Sequence, residues 1–365
     1  MIKLINFITN YNDDSIFQSK QHGHHSQGYS LFKKIAKKIG LKVVENQPIT
    51  RDSIIIFRDL PKPSKVKNKP VNCMFVLHIW ESPLQRQFLF NERNWEVFDM
   101  VLSSNDSIIN SKHRILRYFV DNYENSALKM DFRNRKFSIA VCSNRYSGIL
   151  SSRKGTGIRS LPLLQEIDFN WHNNIREAFF GGFNELYSFR RKILQKKYNL
   201  FDLYGMFWES KNYSSWIGKF HYIIAEKFES KGGLLGDKRD CMSKYKYAMS
   251  FENYKNNFGY LSEKIFECLQ SGCVPLYTGC DNITDYIPKE CFIFVDLNTT
   301  PYELKSRLEL ITRDEWIDYV TAGQKFLASS AFYNVFSSNA FANTLMRHIL
   351  ELTSNDLMTN LDSDK

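Results

Sequence analysis

Apolar residues arrive in this chain as short runs, separated by polar loops and by stretches of helical spacing. Residues 1–8 form one such run and predict a strand. Over 28–39, Leu31, Phe32, Ile35, Ala36 and Ile39 recur on one helical face. Lys33, Lys34, Lys37 and Lys38 fill the other, and Gly40 marks the stop. Strands follow at 41–44, 53–57, 71–79 and 100–103, with a lysine-bearing loop at 61–70. A second alternation begins with a strand at 136–143. It continues as a basic helix at 190–198, a strand at 201–204 and a strand at 245–251. A helix is predicted from near Tyr260 to Gly272, then strands at 275–277 and 291–295. Helices are expected at 301–311, 313–327 and 340–352, and a frayed polar tail after Ser354. Residues 145–185 hold no sustained period and read as a long excursion with local helix.

Strands alternating with helices predict an α/β fold of parallel, doubly wound sheets. Two consecutive alternations predict two Rossmann-like domains facing each other across a cleft. The expected division is 1–133, then 134–335 with 145–185 inserted, then a helix and tail over 336–365. Ligands of such sheets sit at the carboxyl ends of strands. Ser143-Asn144, Tyr204-Gly205 and Phe251-Glu252-Asn253 all stand at strand ends of the second half, which is therefore the expected nucleotide-binding domain. No G-x-G-x-x-G follows any of these strands, which argues against a dinucleotide-binding dehydrogenase.

Composition adds a charge. The chain has 365 residues with Lys+Arg 49 against Asp+Glu 39, a net charge of +10. A basic balance suits an anionic partner such as a nucleotide diphosphate or an anionic lipid surface. No zinc-finger spacing, RNP-like aromatic motif or concentrated basic tail is present, so nucleic acid is not the expected partner. The four lysines of the first helix read as a solvated face, with peripheral membrane docking as the alternative. The seven cysteines are odd in number and include no C-x-x-C, which fits reduced thiols in a cytoplasmic setting. The opening apolar run is too short for a secretory signal, and no stretch reads as a transmembrane span.

Residues 247–277 carry the chemistry. Lys264 stands in the first turns of the predicted helix, where unpaired N–H groups already favour an anion. A lysine gains nothing from the positive end of a helix dipole, so its placement there points to an anionic ligand. Glu263 beside it can accept hydrogen bonds from sugar or ribose hydroxyls, or merely stabilise the helix start. Glu252, Asn253 and Tyr260 line the same stretch; Glu252 reads equally as a buried structural carboxylate. The unit reads as a nucleotide-sugar pocket. His22, His24 and His25 lie in a loop without partner ligands, and no D-x-D stands at a strand end, so no metal site is expected.

These residues resemble a known family. The block Phe251-Glu252-Asn253, Gly259-Tyr260-Leu261-Ser262-Glu263-Lys264-Ile265 and Gly272-Cys273-Val274-Pro275-Leu276-Tyr277 is similar to the donor-binding signature of the α-1,3-fucosyltransferases. Val141-Cys142-Ser143-Asn144, Arg190 with Phe201–Gly205, and Trp80-Glu81-Ser82-Pro83 resemble further family segments. The likeness is dense over 245–296, fair over 136–144 and 186–205, and sparse over 1–135. The chain departs from the pattern in the 145–185 insertion, in a loop after Asn253 longer by one residue, and in lacking C-terminal heptad repeats.

The resemblance implies a glycosyltransferase-B architecture and inverting transfer of L-fucose from GDP-fucose. The implied acceptor is a hydroxyl of an N-acetylglucosamine-containing glycan, of N-acetyllactosamine or glycolipid type. It implies that Lys264 and Arg190 (Arg191 if the spacing slips by one) hold the diphosphate, with Asn144, Tyr204, Glu252, Asn253, Tyr260 and Glu263 around the donor. Glu81 becomes the candidate general base. A lysine–arginine clamp can neutralise the leaving diphosphate, so no metal cofactor is expected to be required. The alternatives are the same fold using another nucleotide sugar, and a catalytically lapsed homologue that only binds.

Overall fold

The computed structural model describes residues 2–9, 16–18, 26–59, 66, 69–80, 87–90, 92–121, 132–143, 185–205, 208, 228–233, 236–255 and 258–363. The chain divides into two compact units. Unit 1 takes residues 1–122, 258–260 and 330–365; unit 2 takes 123–257 and 261–329.

Unit 1 is built on six strands: β1 (Leu4–Ile8), β2 (Lys42–Glu45), β3 (Ser53–Arg58), β4 (Met74–His78), β5 (Met100–Ser103) and β6 (His113–Ile115). They lie in the order β2-β1-β3-β4-β5-β6, and every pairing is parallel. The apolar runs follow from this. In β3, Ile54 and Ile56 enter the core cluster on one face, and Ile55 and Phe57 enter the cluster on the other. A parallel strand covered on both faces has no polar side to alternate with. Helix α1 (Gln27–Lys38) covers the first face with Tyr29, Phe32 and Ala36, and meets Phe341, Leu345 and Ile349 of the last helix.

Unit 2 carries β7 (Lys136–Val141), α2 (Tyr187–Ile193), β8 (Asp202–Tyr204), α3 (Lys238–Met242), β9 (Tyr245–Phe251), α4 (Glu263–Gln270), β10 (Val274–Thr278), β11 (Ile293–Phe294), α5 (Pro301–Leu310) and α6 (Arg313–Leu327). The sheet order is β11-β10-β9-β7-β8, again all parallel. Trp316 and Val320 of α6 and Leu304 and Leu308 of α5 bury one face against Tyr247, Met249, Val274 and Leu276. Both α5 and α6 start at a threonine in a reciprocal capping box, Thr300 with Glu303 and Thr312 with Glu315. In this strand order the chain steps from β7 out to β8, then crosses back to β9. The topological switch point of unit 2 therefore lies between the carboxyl ends of β7 and β9.

Three expectations change. The segment 336–365 is not an appendage: α7 (Ser330–Phe336) and α8 (Ser338–Ser363) return to unit 1 and complete its core, and α8 continues as helix beyond the expected fraying point at Ser354. The first boundary falls near 122 rather than 133. The helix expected from Tyr260 starts at Glu263, because Ser262 is fully extended (φ −88°, ψ −179°).

Candidate functional site

The strongest polar constellation of unit 2 grows from the end of β9. An apolar strand delivers Glu252 into a site where the residue is 0% exposed. Its backbone N–H continues the ladder, donating to the Thr278 carbonyl at 2.8 Å. The neighbouring strand makes room by having no side chain at Gly279: a Cβ there would stand 2.5 Å from Glu252 Cγ and 2.7 Å from the Tyr277 hydroxyl. A carboxylate so buried must be fully matched by donors. Ser262 donates its backbone N–H to Oε1 at 2.8 Å and its hydroxyl to Oε2 at 2.7 Å, and Lys264 Nζ donates to Oε2 at 2.9 Å.

Ser262 holds the N-cap position of α4 but leaves the usual capping acceptor role. Its hydroxyl also accepts from Lys264 Nζ at 2.8 Å. Lys264 is thus steered by two partners while its side chain stays 22% exposed. Two of the three ammonium donors are used among the described residues. Burial works against the charged ammonium. The carboxylates of Glu252 and Glu263 more than offset that, and the pKa of Lys264 is raised. The lysine is a permanent cation at a helix start, where the dipole alone would repel it.

Arg190 comes from α2 and is 4% exposed. Its Nη2 donates to the Phe251 carbonyl at 3.0 Å, the Glu252 carbonyl at 3.1 Å and Asn253 Oδ1 at 3.2 Å. Leu186 N–H donates to the Asn253 carbonyl at 3.0 Å, so the start of α2 is tied to the end of β9. Across the switch point, Cys142 directly follows β7. Burial pushes its thiol up, against the pull of Arg190 and Lys264, both close enough to act on it. Gly205 (φ +134°) fits beside it only because a Cβ would fall 2.1 Å from the Cys142 carbonyl oxygen. Two cations, Arg190 and Lys264, thus meet at this strand end, with the carboxylates of Glu252 and Glu263 acting on Lys264.

The structure therefore brings Arg190, Glu252, Asn253 and Lys264 together. It separates others. Glu252 is too deeply buried to face a donor, and what it touches is Ser262 and Lys264, so it acts as the structural carboxylate. Glu263 faces Lys238, with Oε1 3.8 Å from Nζ, and Lys238 contacts the buried Glu267. Burial pushes Glu267 up to about 7, against the attraction of Lys238. Tyr204 packs with Val141, Met242 and Tyr245 instead of joining this constellation, while the Tyr245 hydroxyl donates to Asp202 at 2.6 Å. Tyr260 is 4% exposed in the core of unit 1, edge-on to Tyr118 at 5.6 Å, so it packs as an apolar anchor instead of lining this pocket. Glu81, Asn144 and the three histidines lie outside the described residues, as does nearly all of the 145–185 insertion. Among the described residues no group of three or more His, Cys, Asp or Glu could hold a metal ion.

Sequence reasoning missed Ser262 and Cys142. Ser262 had a readable signal: serine directly before an acidic first turn is an N-cap pattern, and heeding it would also have set the helix start at Glu263. Cys142 had none, since a cysteine at a strand end looks like any core residue.

Comparison with known proteins places this geometry. A 53-residue stretch is 40% identical to an α-(1,4)-fucosyltransferase of Arabidopsis thaliana, covering 14% of this chain and 13% of that protein. A 76-residue stretch is 32% identical to GDP-fucose protein O-fucosyltransferase 3 of Danio rerio, covering 20% of this chain and 16% of that one. The aligned segments are thus a small part of these relatives' lengths. Among solved structures, a glycosyltransferase from Rickettsia africae ESF-5 superposes with a TM-score of 0.54 at 11% identity, covering 97% of this chain and 99% of that one. That likeness shows the fold, the two-unit α/β architecture of the glycosyltransferase-B class. Residues 229–345 match glycosyltransferase family 10 (fucosyltransferase), C-terminal part, a span containing Glu252, Ser262 and Lys264. Over these residues, less than half of the chain, the protein is similar to the C-terminal part of the family 10 fucosyltransferases.

Proposed function

We propose that the protein transfers L-fucose from GDP-fucose, with inversion, to a hydroxyl of an N-acetylglucosamine-containing glycan, forming an α-1,3 linkage. One observation carries the reading: a lysine is held, charged and partly exposed, at the start of α4 beside the switch point of unit 2, within the family-matched span. The relatives' names supply the donor class, a GDP-linked fucose.

The chemistry follows from charge. As the glycosidic bond breaks, the diphosphate leaving group gains negative charge, and a pre-oriented cation is attracted more strongly then than in the ground state. Lys264 supplies that cation, and the N–H groups opening α4 add to it. Arg190 fixes the end of β9 and adds a second positive charge beside it. With two cations so placed, we propose that turnover needs no divalent metal. Glu81 is assigned as the base that takes the acceptor proton as its oxygen attacks the anomeric carbon. We place the reaction in the cytoplasm, on the strength of an odd cysteine count without paired motifs.

The test is direct. GDP should be released when the protein meets GDP-fucose and an N-acetyllactosamine-type acceptor, in the presence of a chelator, and the product linkage can be read by NMR. Glu81→Gln should lower kcat far more than it raises KM. No GDP release with any N-acetylglucosamine-containing acceptor, or thermal protection by UDP or CMP rather than GDP, would overturn the assignment.

A further inference from the structure

The helix that covers unit 1 ends beside the start of its sheet. Gly40 and Leu41 turn the chain at the end of α1, and Lys42 N–H then donates to the Lys3 carbonyl at 2.9 Å. The last turn of α1 and the amino ends of β1 and β2 thus share one pole of the unit. Lys3, Lys37, Lys38 and Lys42 are exposed there, with Lys33 and Lys34 exposed one turn earlier. Helix α1 contains no acidic residue. Among the described residues none of these six lysines forms an ion pair, although Lys33 also rests over the Phe17 ring at 4.6 Å. In their midst Ile39 is 51% exposed.

The ordinary explanation reaches only part of this. Cations in a last helical turn complement the helix dipole, which accounts for Lys37 and Lys38. It does not account for Lys3, Lys34 or Lys42, nor for an isoleucine left in water between them. A substrate role is also excluded by position, because ligands of parallel sheets bind at the carboxyl ends of strands and this is the amino end. No described helix is long and apolar enough to cross a membrane, so any membrane contact of these residues is peripheral.

We propose that this pole of unit 1 docks on an anionic lipid bilayer. The lysines meet the headgroup phosphates, and Ile39 seats at the headgroup boundary. The apolar residue is what favours a bilayer over a nucleic acid: it gains from an acyl boundary and nothing from a polyphosphate, and the aromatic ring described at the patch, Phe17, is engaged below Lys33 and edge-on to Phe7 in the core of unit 1. The proposal does not depend on the transferase reading.

Co-sedimentation of the full chain with vesicles tests it. Binding to vesicles of equal parts phosphatidylcholine and phosphatidylglycerol is expected, with none to phosphatidylcholine alone, and it should weaken as salt rises. Lys3→Glu/Lys34→Glu/Lys42→Glu, which leaves the two lysines that complement the helix dipole in place, should lower partitioning at least about tenfold, with the thermal midpoint unchanged because all three side chains are exposed. Ile39→Ser should weaken vesicle binding but leave retention on heparin as it was. Vesicle binding equal in parent and triple variant would overturn the proposal. So would vesicle binding indifferent to Ile39 and abolished by competing single-stranded RNA, which would make the patch a nucleic-acid surface.

Discussion

Lys264 has two jobs in this account, and one pair of substitutions separates them. Glu252 is wholly buried and accepts from Ser262 twice and from Lys264 once. Lys264→Met keeps most of the stem and removes the charge, leaving a buried carboxylate without a counter-ion. Breaking a buried pair in this way costs about 3–5 kcal/mol. The lysine head is 22% exposed, so water can replace it in part, and a loss near the lower end, about 3 kcal/mol, is expected. Adding Glu252→Gln removes the stranded charge, and the amide can still accept from Ser262 N–H and donate to its hydroxyl. The double variant should return to within about 1 kcal/mol of the parent. GDP affinity should not return with it. Losing one hydrogen bond from a cation to phosphate costs about 1.5–3 kcal/mol, or roughly a tenfold to 150-fold rise in Kd, in single and double variant alike. Urea unfolding gives the first quantity and calorimetric titration with GDP the second. If the double variant regained parental GDP affinity, Lys264 would serve Glu252 alone and the diphosphate assignment would fall.

Three further outcomes are expected. Gly279→Ala would drive a methyl into Glu252 and Tyr277 and should destabilise by about 1–3 kcal/mol in urea while weakening GDP binding; an unchanged midpoint would show that Glu252 does not sit where it is described. Arg190→Lys loses the planar guanidinium whose Nη2 serves two carbonyls and an amide oxygen, so both the thermal midpoint and GDP affinity should fall, and Arg191→Lys should change neither. Glu267, held at about 7 against an ordinary 4.5, binds its proton more tightly folded than unfolded. Its contribution is therefore complete below 4.5 and lost as pH rises toward 7. The parent should lose up to about 3 kcal/mol relative to Glu267→Gln across that window, and a difference independent of pH would refute the burial argument.

Much of the fold was legible because parallel strands buried on both faces must be apolar in their middles, as Ile54–Phe57 of β3, Met100–Leu102 of β5 and Tyr247–Met249 of β9 are. The helix α6 was readable to the residue, since Thr312 and Glu315 announce its start. The short strand β6, His113-Arg114-Ile115, carried no such signal: three residues at a sheet edge need little hydrophobicity. In the site, Lys264 stood out because its charge opposes the helix end it occupies. The true station of Tyr260 was hidden, because an aromatic in a loop does not disclose which of two cores will take it. The burial of Glu252 was similarly invisible, since it depends on the absent side chain of Gly279, twenty-seven positions later in the chain.

The way residues 330–365 rejoin the first 122 has a consequence for biosynthesis. Tyr29 and Phe32 wait for Phe341 and Leu345, so the amino-terminal sheet emerges from the ribosome with one flank bare while the whole of unit 2 is still being made. The second unit, contiguous apart from three residues, is free to mature before the first. A released chain ending at Ser329 should therefore show a protease-resistant carboxyl-terminal fragment behind a degradable leading portion, an inversion of the usual order of co-translational folding.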